Sequence, residues 1–365
     1  MAASKPASAP ASPRDAARLA IERGVAYLQE SQNADGSWGG ARNAAHPFWS
    51  NPETHRSWQV ATTGLACMAL LESAAGPDAT GAVDRGLEWI VANADLKRPS
   101  DWDTDNTWGF IYGLQALAYA SKQPSLAAGP RRAAMLAGCD QFVAKLAKYQ
   151  SPNGGWGYYA DPEAAWRSEW ATSFMTAVGV LALLEARGAG VKFDDAILDK
   201  AVHAVERCKL PNGAYSYDVM AIPRTGWSEG INQVKGSLGR IQVCGLALHL
   251  AKSPKVTLQD MRWGLEQFFE HHRFLDVARM KPIPHEAYYQ NAGYFYFFGH
   301  YYAALVLEQL PPAERAAFAG RLQREIMKTQ ESDGSMWDFY TNTYHRPWGT
   351  SFGMMALGKT LPPPG

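Results

Sequence analysis

Apolar positions along this chain follow two rhythms that take turns from one end to the other. In residues 15–31 the apolar side chains Ala17, Ile21, Val25 and Leu28 recur at steps of four, four and three, the spacing of one buried face on an α-helix. The next segment, VATTGLACMALLESA after Trp58, is rich in small residues and apolar on nearly every side, as in a helix buried over most of its surface. Amphipathic segments then return at 82–93, 129–149, 194–208, 258–273 and 313–329. Apolar, small and aromatic ones follow each of them, at 106–120, 170–186, 239–251, 294–310 and 348–361. Strands would need period-two alternation between tight turns, and no stretch of useful length has it. The pattern predicts an all-α chain of six helix pairs. The second member of each pair is apolar enough to form an inner wall, and neither end carries a distinct polar capping repeat. Closure into one α/α toroid of six inner and six outer helices is therefore expected over residues 15–362, after a flexible Ala/Ser/Pro-rich tail, 1–14.

The junctions repeat as well. Tyr27 to Trp38 (YLQESQNADGSW) ends the first amphipathic segment with Gln32, Gly36 and Trp38. Gln150, Gly154 and Trp156 recur at the same spacing in QSPNGGW, while Gln330 and Gly334 recur in QESDGSMW with the tryptophan, Trp337, one place late. A degenerate copy, KLPNGAY, runs from Lys209 to Tyr215. Each has a Gly able to take positive φ, an Asn or Asp close before it, and an aromatic ring that can fold back on the helix it leaves. At the ends of outer helices these residues are expected to act as staples, the Gln bonding the next helix end and the Trp covering it.

Composition narrows the function classes. Lys plus Arg and Asp plus Glu are equal at 35 each, so no global field attracts nucleic acid. Cys67, Cys139, Cys208 and Cys244 are widely spaced, with no CxxC, and read as small core residues. That suits a reducing, cytoplasmic location. No run of about 18 apolar residues is present to span a membrane, and peripheral membrane contact stays open.

The pattern aromatic-Leu-xxx-Gln-xxx-Gly-x-Trp, met in full at Tyr27, Leu28, Gln32, Gly36 and Trp38, resembles the QW repeat of the squalene-hopene and oxidosqualene cyclases. The β subunits of protein prenyltransferases share such a six-pair toroid. The resemblance implies an enzyme of isoprenoid chemistry that needs no cofactor. It protonates an alkene of a polyprenyl or triterpene-type substrate with a carboxylic acid and shields the travelling carbocation with aromatic faces. Asp103, Thr104, Asp105, Asn106 and Thr107 (DTDNT) match the first two Asp and the Thr of the cyclase motif DxDDTA, with Asn106 in place of the last Asp. By that likeness Asp105 is the expected proton donor and Asp103 its partner, against the plainer reading of solvent-exposed N-cap residues.

Aromatic residues at or near the starts of the inner helices, Trp58, Trp108, Tyr112, Trp170, Trp227 and Trp348, are the expected cavity wall, together with Tyr294, Tyr296, His300 and Tyr301 from the densest aromatic run. His55 and Arg56, Arg167 and Glu169, Arg224 and Glu229, Lys235 and Arg240, and His345 and Arg346 recur at the same helix ends. They are expected to ring one mouth, as a solvated rim or as a pocket for a ligand that is part apolar and part anionic. Zinc-dependent prenyl transfer is the third reading. By resemblance it requires an Asp-x-Cys where this chain has Gly236, Ser237 and Leu238, which leaves His300 as one ligand where at least three are needed. No metal is expected. His271 and His272 point to different faces of their helix and read as surface residues. A toroid that binds an isoprenoid, lipid or peptide without reaction is the remaining alternative.

Overall fold

The computed structural model describes residues 12–40, 52–73, 77–96, 106–158, 170–220 and 230–362. Asp103, Asp105 and Trp227 lie outside them, as do Arg167, Glu169, Arg224 and Glu229. The described residues are helical with no strands. Six outer helices, α1 (Pro13–Glu30), α3 (Pro77–Ala92), α5 (Gly129–Tyr149), α7 (Asp195–Cys208), α9 (Leu258–Glu270) and α12 (Pro312–Met327), alternate with six inner ones. The inner helices are α2 (Pro52–Glu72), α4 (Asn106–Ser121), α6 (Ser173–Gly188), α8 (Leu238–Leu250), α11 (Phe295–Gln309) and α13 (His345–Lys359). A short helix, α10 (Arg273–Ala278), follows α9. Local chemistry sets the starts of several outer helices. Ser12 caps α1 ahead of Pro13, and Thr257 with Asp260 forms a capping box on α9.

The inner helices close a ring in which α2 packs on α4, α4 on α6, α6 on α8, α8 on α11, α11 on α13 and α13 back on α2. Each outer helix lies behind the inner helix that precedes it in sequence, so α3 backs α2, α5 backs α4 and α12 backs α11. The first helix therefore backs the last, α1 on α13, and the two ends of the chain complete the wall together. Burial follows the two rhythms. In α6 every residue from Ser173 to Leu183 is buried, whereas in α7 only Leu198, Ala201, Ala204, Val205 and Cys208 are.

The repeated junctions fasten this ring by one device. Gln32 Nε2 donates to Gly36 O and Ala82 O, Gln150 Nε2 to Gly154 O and Ile197 O, and Gln330 Nε2 to Gly334 O and Ala20 O. Each amide thus ties its own turn to the next outer helix, and the last copy reaches across 310 residues to α1. Gly36 has φ +94, and a Cβ there would lie 2.7 Å from Arg85 O, three residues past Ala82. The Gly is required both by its backbone and by this close approach. Trp38 Nε1 donates to Leu28 O at 2.7 Å and Trp156 Nε1 to Leu146 O at 2.9 Å, so each ring closes the end of the helix it follows. In the copy with the late tryptophan, Met336 takes the equivalent position. Its N–H donates to Thr350 Oγ1 as those of Trp38 and Trp156 donate to Thr63 and Thr176, while the Trp337 indole turns to Glu331.

Candidate functional site

A cavity of about 660 Å³ opens inside the N-terminal half of the inner ring. Its wall is built by helical spacing. Trp58, Ala61, Thr62 and Leu65 on α2, Trp108 and Tyr112 on α4, Phe295 and Phe298 on α11, and Trp348 and Phe352 on α13 stand three or four residues apart on the faces that meet at the axis. Phe174 at the start of α6 joins them. The rings interlock: Trp108 stacks on Tyr112 with centroids 5.6 Å apart, and Phe174 meets Phe295 edge-on at 5.0 Å. Below Tyr112 the centre is filled, with its hydroxyl 3.3 Å from that of Tyr302 and Tyr301 packed on Phe352. The chamber is thus a blind cup rather than a channel.

Loops supply the polar part of the wall. Asp338, between α12 and α13, is 1% exposed and lines the cavity. Its Oδ2 accepts the Phe297 N–H at 3.0 Å at the start of α11, and its buried Oδ1 has no hydrogen-bond partner. Burial pushes its pKa up to about 7, outweighing the Phe297 and Phe339 amides, the Trp348 indole and Arg279, which all favour the ionised form. Burial thus favours the protonated form of this carboxyl far above the ordinary carboxylate range. Thr62 Oγ1 is a second wall atom that is buried without a partner. Across the mouth, Tyr158, Tyr217, Tyr294 and His285 bring four polar tips together. Tyr158 and Tyr217 are hydrogen-bonded, Tyr158 OH lies 3.1 Å from Tyr294 OH, and Tyr294 OH lies 3.0 Å from His285 Nε2.

Of the wall residues expected from sequence, Trp58, Trp108, Tyr112, Tyr294 and Trp348 line the chamber. Trp170 stands outside the lining, edge-on behind Tyr158 at 5.2 Å, with its indole on Asp218. Tyr296, His300 and Tyr301 do not line it. Helical rotation turns Phe295 and Phe298 inward and carries Tyr296 and His300 to the outer layer, where the Tyr296 hydroxyl donates to Glu325 O. His300 is fully buried, its Nδ1 2.7 Å from Tyr296 O and its Nε2 2.9 Å from His272 Nε2. Burial, with His272 adding to it, holds the His300 imidazole well below its ordinary pKa. His272 corrects the surface reading, being 5% exposed and bonded to Asp276. His272, Asp276 and Glu325 stand close enough to hold an ion, but Lys328 Nζ already pairs with both carboxylates. The expected charged rim is also corrected in part. Arg240 is 1% exposed, bonding Ile231 O and Tyr215 O, and His55 is buried against Tyr344. Sequence reading missed Asp338, Tyr158, Phe174, Tyr217, His285 and Phe339. Only the aromatic-acid-aromatic run of Trp337, Asp338 and Phe339 offered a local signal for any of them.

Closed ring, repeated Gln-Gly-aromatic junctions and aromatic cup together define an α/α toroid. More particularly, residues 8–127 match the family model of the squalene-hopene cyclase C-terminal domain. No curated protein matches the chain in sequence. Among solved structures, a variant of the type II terpene cyclase MstE from Scytonema, in complex with its substrate geranylgeranyl dihydroxybenzoate, is similar with a TM-score of 0.55 and 15% identity. The match covers 95% of this chain and 98% of that one. The GH76A α-1,6-mannanase from a Salegentibacter species is similar with a TM-score of 0.59 and 13% identity, over 94% and 98% of the two chains. At these identities the likeness concerns the fold. No helix among the described residues is long and apolar enough to cross a membrane.

Proposed function

We propose that the chamber binds an uncharged isoprenoid chain and starts its cyclisation by proton donation from a buried carboxyl. The observation that carries this reading is Asp338, a buried carboxyl whose pKa burial raises to about 7, in a cup walled by Trp58, Trp108, Tyr112, Phe174, Phe298 and Trp348. A folded apolar chain fits a cavity of that size and lining. Proton transfer from the Asp338 carboxyl places positive charge on the substrate, and the surrounding π-faces stabilise it. The Phe297 N–H, at the N-terminus of α11, then holds the carboxylate left behind. Glycan cleavage of the kind the mannanase performs fits the wall poorly. Hydrolysis of a glycosidic bond ordinarily uses two facing carboxyl groups, and Asp338 is the one carboxyl among the described lining residues. Asp105, with Asp103 as its partner, is the rival donor that the sequence motif offers.

The test is incubation of the protein with squalene and with shorter polyprenyl alcohols, followed by product analysis, beside Asp338→Asn and Asp105→Asn variants. Cyclised product that falls at least a hundredfold in Asp338→Asn and survives in Asp105→Asn supports the assignment. Loss in Asp105→Asn alone moves the donor to the motif. Binding of the chains without product defeats the cyclisation reading and leaves a binding toroid. Because the acid must be protonated, the rate of the wild type is expected to fall as pH rises through about 7.

A further inference from the structure

If a cation forms in the chamber, a proton must leave it again, and the mouth holds a group built to take one. His285 Nδ1 lies 2.7 Å from the Gln290 carbonyl oxygen, to which it can only donate, so in the neutral ring Nε2 carries a lone pair. Around that lone pair stand three hydroxyls. Tyr294 OH is 3.0 Å and Tyr217 OH 3.3 Å from Nε2, and Tyr158 OH bonds both Tyr217 and Tyr294. The trio holds three protons, and the cluster offers four acceptor atoms. When the chain of donors ends on Nε2, each hydroxyl spends its proton on the next group, and the first oxygen in the chain, that of Tyr158 or Tyr217, receives none. All four side chains line the cavity. The cluster therefore shows the chamber a lone pair and no spare proton.

We propose that Tyr158, Tyr217, Tyr294 and His285 form the proton exit of the chamber, a hydroxyl relay that ends on a neutral imidazole. This rests on the cyclisation reading above. The C–H bond beside the cationic carbon breaks and its electron pair becomes the new C=C bond. Its proton passes to the Tyr158 oxygen, the Tyr158 proton to Tyr294, and the Tyr294 proton to His285 Nε2. The imidazolium so formed is partly exposed and gives the proton to water. The groups facing His285 suit that role. The Tyr294 hydroxyl donates to it, the Tyr217 hydroxyl lies 3.3 Å away, and the Arg240 guanidinium lies 5.3 Å from the centre of the Tyr217 ring. Burial and that guanidinium hold the imidazole below its ordinary pKa, against the pull of Gln290 O, so it rests neutral. The Tyr158 and Tyr217 hydroxyls stay protonated at rest, burial being the main cause of their raised pKa values.

The exit can be tested without turnover. Two chains of equal length, decyldimethylamine in its protonated form and 2-dodecanone, differ in that the first donates a hydrogen bond and the second only accepts one. Calorimetric titration of the wild type, Tyr158→Phe and His285→Phe, each checked for unchanged thermal unfolding, is expected to show the ammonium weakened about tenfold in both variants, the effect of one charge-assisted hydrogen bond, with the ketone unchanged. Equal loss of both ligands, or of neither, overturns the proposal. With a turned-over polyprene, the wild type should lose rate as acid protonates His285, and His285→Phe should lack that acid limb and release more water-captured alcohol. Turnover whose pH profile and products are the same in His285→Phe also overturns it. Absence of turnover in the wild type counts against the cyclisation reading alone, and the amine and ketone pair still decides the acceptor site.

Discussion

Asp338→Asn, followed by unfolding at two pH values, measures what the protein gives up to hold a carboxyl in its chamber wall. The folded-state pKa is raised from an ordinary 3.8 to about 7, so the sign is fixed. At a pH below about 4 both folded and unfolded chains carry the proton and there is no penalty. Between about 4 and 7 the unfolded chain ionises first, and stability falls as pH rises. Above about 7 the full difference applies, and at ~1.4 kcal/mol for each pH unit of displacement it comes to roughly 4 kcal/mol. Asparagine keeps an oxygen for the Phe297 N–H at nearly the same volume and cannot ionise. The variant is therefore expected to gain on the wild type by roughly 3 kcal/mol between about pH 5 and pH 8. With an unfolding entropy of ~2.1 cal/mol/K per residue, a 365-residue chain shows this as a Tm gap that widens by roughly 4 °C. Urea titration and calorimetry at both pH values read it directly. A gap that stays constant across the two would mean that Asp338 is solvated or already ionised, and would remove it as a neutral-pH proton donor.

Two further outcomes are expected. Gly36→Ala should destabilise by ~3 kcal/mol or more, through both left-handed backbone strain and overlap with Arg85 O. Gly129→Ala, at φ +73 with nothing within 4 Å of the added carbon, should cost only the backbone strain of roughly 1–2 kcal/mol; equal losses in urea unfolding would deny the close approach its part. The segment that carries Pro284 and His285 into the wall also exposes Val277, Met280, Ile283 and Tyr288; if this patch rests on lipid, the wild type should co-float with phosphatidylglycerol vesicles and paired Ile283→Asp and Tyr288→Asp changes should abolish it. Flotation that survives them places any lipid contact elsewhere.

The fold was legible because its signals are local and repeated. Ala17, Ile21, Val25 and Leu28 mark an outer face within two turns, and Gln32, Gly36 and Trp38 announce a helix end wherever they recur. Even the late tryptophan kept the register, since Gly334 placed Met336 where the ring would have gone. The site was legible only where it shares the helical period. Trp58, Trp108 and Trp348 stand in the first turns of inner helices, and nothing but the ring is needed to bring them together. Within the run from Tyr294 to Tyr302, composition alone could not say which residues turn inward. The outer layer claimed Tyr296 and His300 through Glu325 O and His272. Asp338, Tyr158, Tyr217 and His285 sit on loops with no period to read, and closure of the ring brings them together, as when Tyr158 meets Tyr294 from 136 residues away.

The amide of Gln330 on the carbonyl of Ala20 also sets a clock. During synthesis α1 emerges first, yet the partner that seals it lies 310 residues later. At ~5 to 20 residues per second the growing chain spends roughly 15 to 60 s as an open arc, with the flank of α2 that α13 will cover still bare. In such a nascent arc that flank faces water, and the arrival of α13, rather than any early collapse, becomes the event that commits the ring.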